Sequence, residues 1–96
     1  MLTVNINPSN VLQKANSMVM IDCIAKSPGG GKITVKWLKN TLEYPRDNDD
    51  NVKMLSNNTL VIKKLKRRYT GTYKCDAETE SKESLYTTVL VEIGCK

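Results

Sequence analysis

Along most of the chain apolar and polar residues alternate with a period of two, in short runs separated by turn residues, and helical spacing is nowhere sustained. Val19, Ile21 and Cys23 alternate with Met18, Met20 and Asp22; Ile33, Val35 and Trp37 alternate with Thr34, Lys36 and Leu38. Runs of this kind build strands that turn one face to a core and the other to solvent. Leu60, Ile62 and Leu65 form a further inward set, and Tyr73, Cys75 and Ala77 another. A last strand over residues 86–93 turns Val89, Val91 and Ile93 inward. Val4 and Ile6, ahead of Pro8, read as an opening edge strand, because proline cannot donate to a ladder. Residues 38–45 read as a strand end, a turn and a short edge segment stopped by proline, and residues 46–51 as a polar loop. Ser27-Pro28-Gly29-Gly30-Gly31-Lys32 is a loop in which glycine reaches positive φ without strain.

Ninety-six residues suffice for one ordinary domain, spanning 1–96, and leave too little chain for two cores. Folding at this size buries only about 60–70% of the unfolded chain's surface, so a covalent crosslink matters. There are three cysteines, Cys23, Cys75 and Cys95, and an odd count leaves one thiol for a partner chain or a stalk. Fifteen Lys and Arg against ten Asp and Glu give a net charge of +5, which favours acidic partners or anionic headgroups. No run approaches the ~20 apolar residues of a membrane helix, and the first residues lack the regions of a signal peptide. Met1 reads as an added initiator and Lys96 as a cut end, so the natural chain is expected to be longer, with any membrane anchor in a segment outside this sequence.

Cys23 and Trp37 stand fourteen positions apart and Trp37 and Cys75 thirty-eight, a placement that resembles the Cys, Trp, Cys pattern of the immunoglobulin superfamily. Tyr69-Thr70-Gly71-Thr72-Tyr73-Lys74-Cys75 resembles the tyrosine-corner strand of that family, except that Tyr69 stands where an aspartate is usual. The departure removes the usual corner salt bridge and puts local stability there in question. The resemblance implies an all-β, immunoglobulin-like β-sandwich in which a Cys23–Cys75 disulfide joins two sheets across the core, with Trp37 packed on it and Tyr73 anchoring the corner. The segment between Trp37 and Cys75 is too short for the extra edge hairpin of variable domains, so a constant-like or intermediate set of seven or eight strands is expected. The alternative for the cysteines is two buried free thiols, as in intracellular muscle immunoglobulin modules.

Two finer resemblances compete. The tail from Cys75 to Cys95, with Lys82-Glu83-Ser84 and Thr87-Thr88-Val89-Leu90-Val91, resembles the ectodomains of the invariant signalling chains of the T-cell receptor complex. That implies an immune receptor on the extracellular face of the plasma membrane, pairing with another immunoglobulin-like subunit through Thr87, Thr88, Leu90 and Glu92 of its last strand, with Cys95 in the stalk. Residues 58–65 resemble the corresponding strand of lymphocyte adhesion receptors and growth-factor-receptor domains, and in that alternative the face carrying Lys36, Leu38 and Leu42 binds a protein ligand. An intracellular filament module is a third reading.

Other motifs are weaker. Lys63, Lys64, Lys66, Arg67 and Arg68 form a basic patch, either a binding surface for an anionic partner or a solvated turn. It lacks interleaved aromatics apart from Tyr69, so nucleic acid is not an expected partner. Residues 47–51 resemble the opening of a calcium loop, but Val52 and Asn58 stand where that loop needs glycine and glutamate, and no metal is expected. Asn57-Asn58-Thr59 is a glycosylation sequon, with a chance match as the alternative. With no histidine, two cysteines assigned to the core and no nucleophile or phosphate-loop motif, neither catalysis nor a cofactor is expected.

Overall fold

The computed structural model describes residues 2–40, 42–44 and 50–94. The chain forms β1 (Thr3–Asn7), β2 (Asn10–Gln13), β3 (Val19–Lys26), β4 (Ile33–Lys39), β5 (Leu42–Tyr44), β6 (Val52–Met54), β7 (Thr59–Ile62), β8 (Gly71–Thr79) and β9 (Ser84–Ile93), with one 3-10 turn at Arg67–Tyr69. These nine strands among the described residues make two sheets, ordered β1-β3-β7-β6 and β2-β9-β8-β4-β5. None of the described helices is long and apolar enough to cross a membrane.

The alternating runs land as the sequence orders them. Val19, Ile21 and Cys23 on β3, Leu60 and Ile62 on β7, Tyr73, Cys75 and Ala77 on β8, and Val89 and Val91 on β9 are all buried between the sheets. Ile33, Val35 and Ile93 reach only half-burial, Val35 and Ile93 packing against the buried core.

Nine strands replace the expected seven or eight for two reasons. The opening segment is two strands rather than one edge strand: β1 pairs antiparallel with β3, the ladder stops at Pro8, which has no N–H to give, and the chain then crosses to the other sheet. There β2 runs parallel to β9, from Asn10 opposite Leu90 to Gln13 opposite Ile93. The second addition is β6, whose Val52 is buried opposite Ile62 directly after the polar loop.

Cys23 of β3 and Cys75 of β8 form the disulfide that spans the two sheets, with Cα atoms 6.4 Å apart. Trp37 stands opposite Cys75 in the β4–β8 register and is buried, its Nε1–H donating to the Asn58 carbonyl at 3.0 Å. That bond satisfies the indole's single donor and ties β4 to the turn between β6 and β7.

The tyrosine corner forms, with the Tyr73 hydroxyl donating to the Tyr69 carbonyl at 2.6 Å. The doubt raised by Tyr69 resolves in favour of packing. Its side chain is fully buried, the Arg68 guanidinium carbon lies 4.9 Å from its ring centroid, and Arg68 donates to its hydroxyl at 2.8 Å. A buried aromatic ring thus stands where the resembled family usually has a salt-bridging aspartate.

Two outcomes follow for stability. Replacing both Cys23 and Cys75 with alanine should lower the unfolding free energy by roughly 4 kcal/mol, read from urea denaturation, because the bond closes a loop of 52 residues. Tyr73→Phe removes the buried hydrogen bond to the Tyr69 carbonyl and should cost about 0.5–1.5 kcal/mol in the same assay.

Candidate functional site

Because β4, β8 and β9 bury alternate residues, their remaining residues form one continuous surface, the outer face of the five-stranded sheet. Register aligns them in rows. Thr34, Glu78 and Ser84 form one row; Lys36, Asp76 and Tyr86 the next; Leu38, Lys74 and Thr88 a third; and Thr72 with Leu90 a fourth. Tyr86 is 60% exposed and Leu90 42%, large apolar surfaces that water does not favour.

The charges on this face hold one another lightly. Lys36 Nζ lies 3.7 Å from Glu43 Oε2, both side chains well exposed, a pair of little worth in water. The Lys74 ammonium lies 4.7 Å from the Tyr86 ring centroid, which keeps the aromatic and the cation together in the middle of the face. A groove of about 180 Å³ lined by Thr34, Lys36, Asp76, Glu78 and Ser84 lies on this face. It is smaller than the ~300–1,000 Å³ of small-molecule sites, so the face suits a broad partner rather than a buried ligand.

The two residue sets that sequence reasoning held apart meet in part on this surface. Lys36 and Leu38 from β4 share rows with Asp76 and Lys74, and those rows continue to Tyr86 and Thr88 on β9. Leu42 does not join them, because it stands opposite Lys39, whose side chain turns inward, and so lies off the outer face although it is exposed. Thr87, by contrast, is half-buried on the inward side. The edge pairing expected through Leu90 and Glu92 is not open as drawn, since β2 already occupies the backbone edge there, with Asn10 opposite Leu90 and Leu12 opposite Glu92. Only the stretch of β9 before Leu90 lies beyond the reach of that ladder.

The basic patch is less free than its sequence implies. Lys66 Nζ donates to Asn16 Oδ1 at 3.1 Å, and Arg68 lies on Tyr69. Lys66 and Arg67 line a groove of about 640 Å³ with Asn16, Thr70, Glu92 and Gly94, so a carboxylate shares the space with the cations. Most of the calcium-like run, residues 47–49, and Cys95, expected in a stalk, lie outside the described residues. Asn51 is committed to the backbone, accepting from Lys64 N–H at 3.1 Å and donating to the Lys64 carbonyl at 2.8 Å. No cluster of metal-ligating side chains occurs among the described residues. Asn57 is exposed on the turn between β6 and β7, whereas Thr59 is buried.

Sequence reasoning missed Lys39. The alternation of Ile33, Val35 and Trp37 continues to position 39 and turns the lysine inward, and that continued period was the available signal. Lys39 is buried, its Nζ donates to the Arg68 carbonyl at 2.6 Å, and it lies 5.6 Å from the Tyr73 ring centroid and 5.8 Å from that of Tyr44. Burial pushes its amine below the ordinary lysine value.

The family model for the immunoglobulin domain matches residues 3–79. This chain belongs to that family. Among solved structures, the domain is similar to extracellular domains 3–5 of Drosophila OTK (TM-score 0.77, 19% identity), covering 96% of this chain and 32% of that one. It is likewise similar to immunoglobulin domains 1–4 of Sidekick-1 (TM-score 0.78, 19% identity), covering 96% of this chain and 24% of that one. A Dscam structure described as the basis for isoform specificity gives a TM-score of 0.76 at 21% identity, covering 98% of this chain and 21% of that one. At these identities the shared property is the fold, and the immunoglobulin domain spans between about a fifth and a third of these three chains. A search of curated proteins gave no significant match. The comparisons lend no support to a T-cell receptor signalling subunit.

Lys39 generates a pH prediction. Its folded-state value lies below the unfolded one, so between the two the unfolded chain holds more protons and stability rises with pH. The stability of the native domain should therefore rise relative to that of a Lys39→Met variant as pH rises toward 10.5, measured by urea denaturation at a series of alkaline pH values.

Proposed function

We propose that this immunoglobulin domain is a protein-recognition module of an extracellular cell-adhesion or receptor protein, and that it binds its partner through the outer face of the five-stranded sheet. The observation that carries the reading is the register that gathers Lys36, Leu38, Lys74, Asp76, Tyr86, Thr88 and Leu90 on one surface. Exposed apolar groups flanked by charges of both signs are the composition of a protein contact, where the apolar centre supplies affinity and the charges set orientation. The disulfide fits an oxidising compartment outside the cytosol. Similarity in fold to adhesion-type ectodomains such as those of Dscam, Sidekick-1 and OTK agrees with an extracellular setting. The site is a surface of alternating side chains on a rigid sheet, and the work proposed for it is binding rather than bond-making.

A second reading rests on the part of β9 that precedes Leu90, where β2 does not reach and a strand from another domain has an edge to add to. A charge placed on each site separates the two. Tetramers of the domain would be tested against a panel of cell-surface ectodomains that includes a second copy of this chain. Lys36→Glu should weaken the selected interaction by about tenfold or more, while Leu85→Glu, in the open stretch of β9 and off the outer face, leaves it within about threefold. Binding that survives Lys36→Glu and falls with Leu85→Glu would overturn the face in favour of the edge.

A further inference from the structure

We propose that Asn57 is an N-glycan acceptor, bearing an oligosaccharide on the turn between β6 and β7; the proposal rests on the extracellular reading above, since the transfer takes place in the secretory lumen. The sequon supplies the motif, and the turn supplies the geometry. Leu55 N–H donates to the Thr59 carbonyl at 2.8 Å and Asn58 N–H to the Leu55 carbonyl at 3.0 Å, closing a tight turn with Asn58 in the left-handed region at φ 68°. Asn57 sits exposed at the tip, and its Oδ1 accepts the Thr59 N–H at 3.3 Å. The carboxamide oxygen is thereby engaged by the backbone, and the nitrogen to be glycosylated remains with no protein partner among the described residues.

Thr59 has the opposite environment. It is 2% exposed and its hydroxyl donates to Asp22 Oδ1 at 2.7 Å, across the β3–β7 pair. The transferase reads that hydroxyl as part of the motif, so the acceptor is open only before β7 docks on β3. In the transfer, Asn57 Nδ2 bonds to the anomeric carbon of a polyprenyl-pyrophosphate oligosaccharide. The sugar–oxygen bond to the pyrophosphate breaks, the amide loses one proton to the transferase, and the lipid pyrophosphate leaves.

The product has a place to lie. Met54 and Leu55 beside the acceptor are 40% and 42% exposed, and the apolar side of the first sugar ring covers surface of that kind. The turn belongs to the four-stranded sheet, so the glycan shields that side of the sandwich and leaves the recognition face open.

The full chain behind a heterologous secretion leader, made in animal cells, tests this. Secreted and cell-retained protein are both treated with peptide N-glycosidase in heavy-oxygen water and mapped by mass spectrometry. Most copies should carry the label at position 57, with the glycan kept in Thr59→Ser and absent from Asn57→Gln and Thr59→Val. Unmodified Asn57 in both fractions overturns the acceptor site. If that unmodified protein is secreted with its disulfide formed, the recognition face stands and only the glycan falls. The timing is tested on unglycosylated protein offered to microsomal transferase: the oxidised, folded domain should be modified about tenfold or more slowly than the reduced, unfolded chain, because only locally opened molecules expose Thr59. Equal rates would overturn the role given to the Thr59–Asp22 bond.

Discussion

The bond between Cys23 and Cys75 acts where the two sheets are back to back, and the buried side chains arrange themselves around it. Trp37 lies beside Cys75 in register and fills the space that a bond across the core leaves at its flank. Its indole N–H then fixes the height of the turn that ends in Asn58, and that turn sets where β7 begins. At the lower end of the same core, Tyr69 and Tyr73 hold the chain as it passes from one sheet to the other, through a hydroxyl-to-carbonyl bond and two buried rings. A small domain has few residues with which to fill its interior, and here three aromatic side chains and one disulfide supply much of the rigid volume.

That rigidity makes the outer face useful. A strand whose inward residues are locked presents its outward residues at fixed spacing, so the register of the strands sets the row of Lys36, Asp76 and Tyr86. The surface charges do not need strong pairing, and exposed pairs such as Lys36 with Glu43 can be exchanged for a partner's groups at small cost. The buried cation has a different part. Lys39 brings an ammonium under the edge of the sheet and joins β4 to the 3-10 turn through the Arg68 carbonyl, a part-buried structural link.

The architecture was legible because period two is a local property, and the spacing of Cys23, Trp37 and Cys75 fixed which runs face one another. What escaped was set by partners far along the chain. Nothing in Asn10 to Gln13 announces a parallel ladder with β9; Val11 is the one buried residue of that strand, and a single valine carries no period. The same absence of local signal hid the fact that Leu90 and Glu92 have their edge taken. Tyr69 was read through the residue it replaces, a charge, when its own physical character as a large ring decided its fate. Lys39 was legible in principle, since the alternation that buried Trp37 continued to it, but a charged type at an inward position reads as a strand end unless a carbonyl and two rings are known to be waiting.

The crossing at Pro8 also sets how the domain meets mechanical load. Because β2 and β9 run parallel, a pull that separates Asn10 from Gly94 acts along their shared ladder, so the hydrogen bonds from Asn10 to Gln13, and the one from Gly94 N–H to the Gln13 carbonyl, resist together instead of opening in turn. If that clamp gives way, the chain that can pay out is the part outside the cysteine bridge; the 52-residue span inside it stays closed to extension until the sulfur bond itself is broken. The first two strands and the last, with the ends of β3 and β8 that lie outside the bridge, thus form a tether of limited travel around a span that extension alone does not unravel.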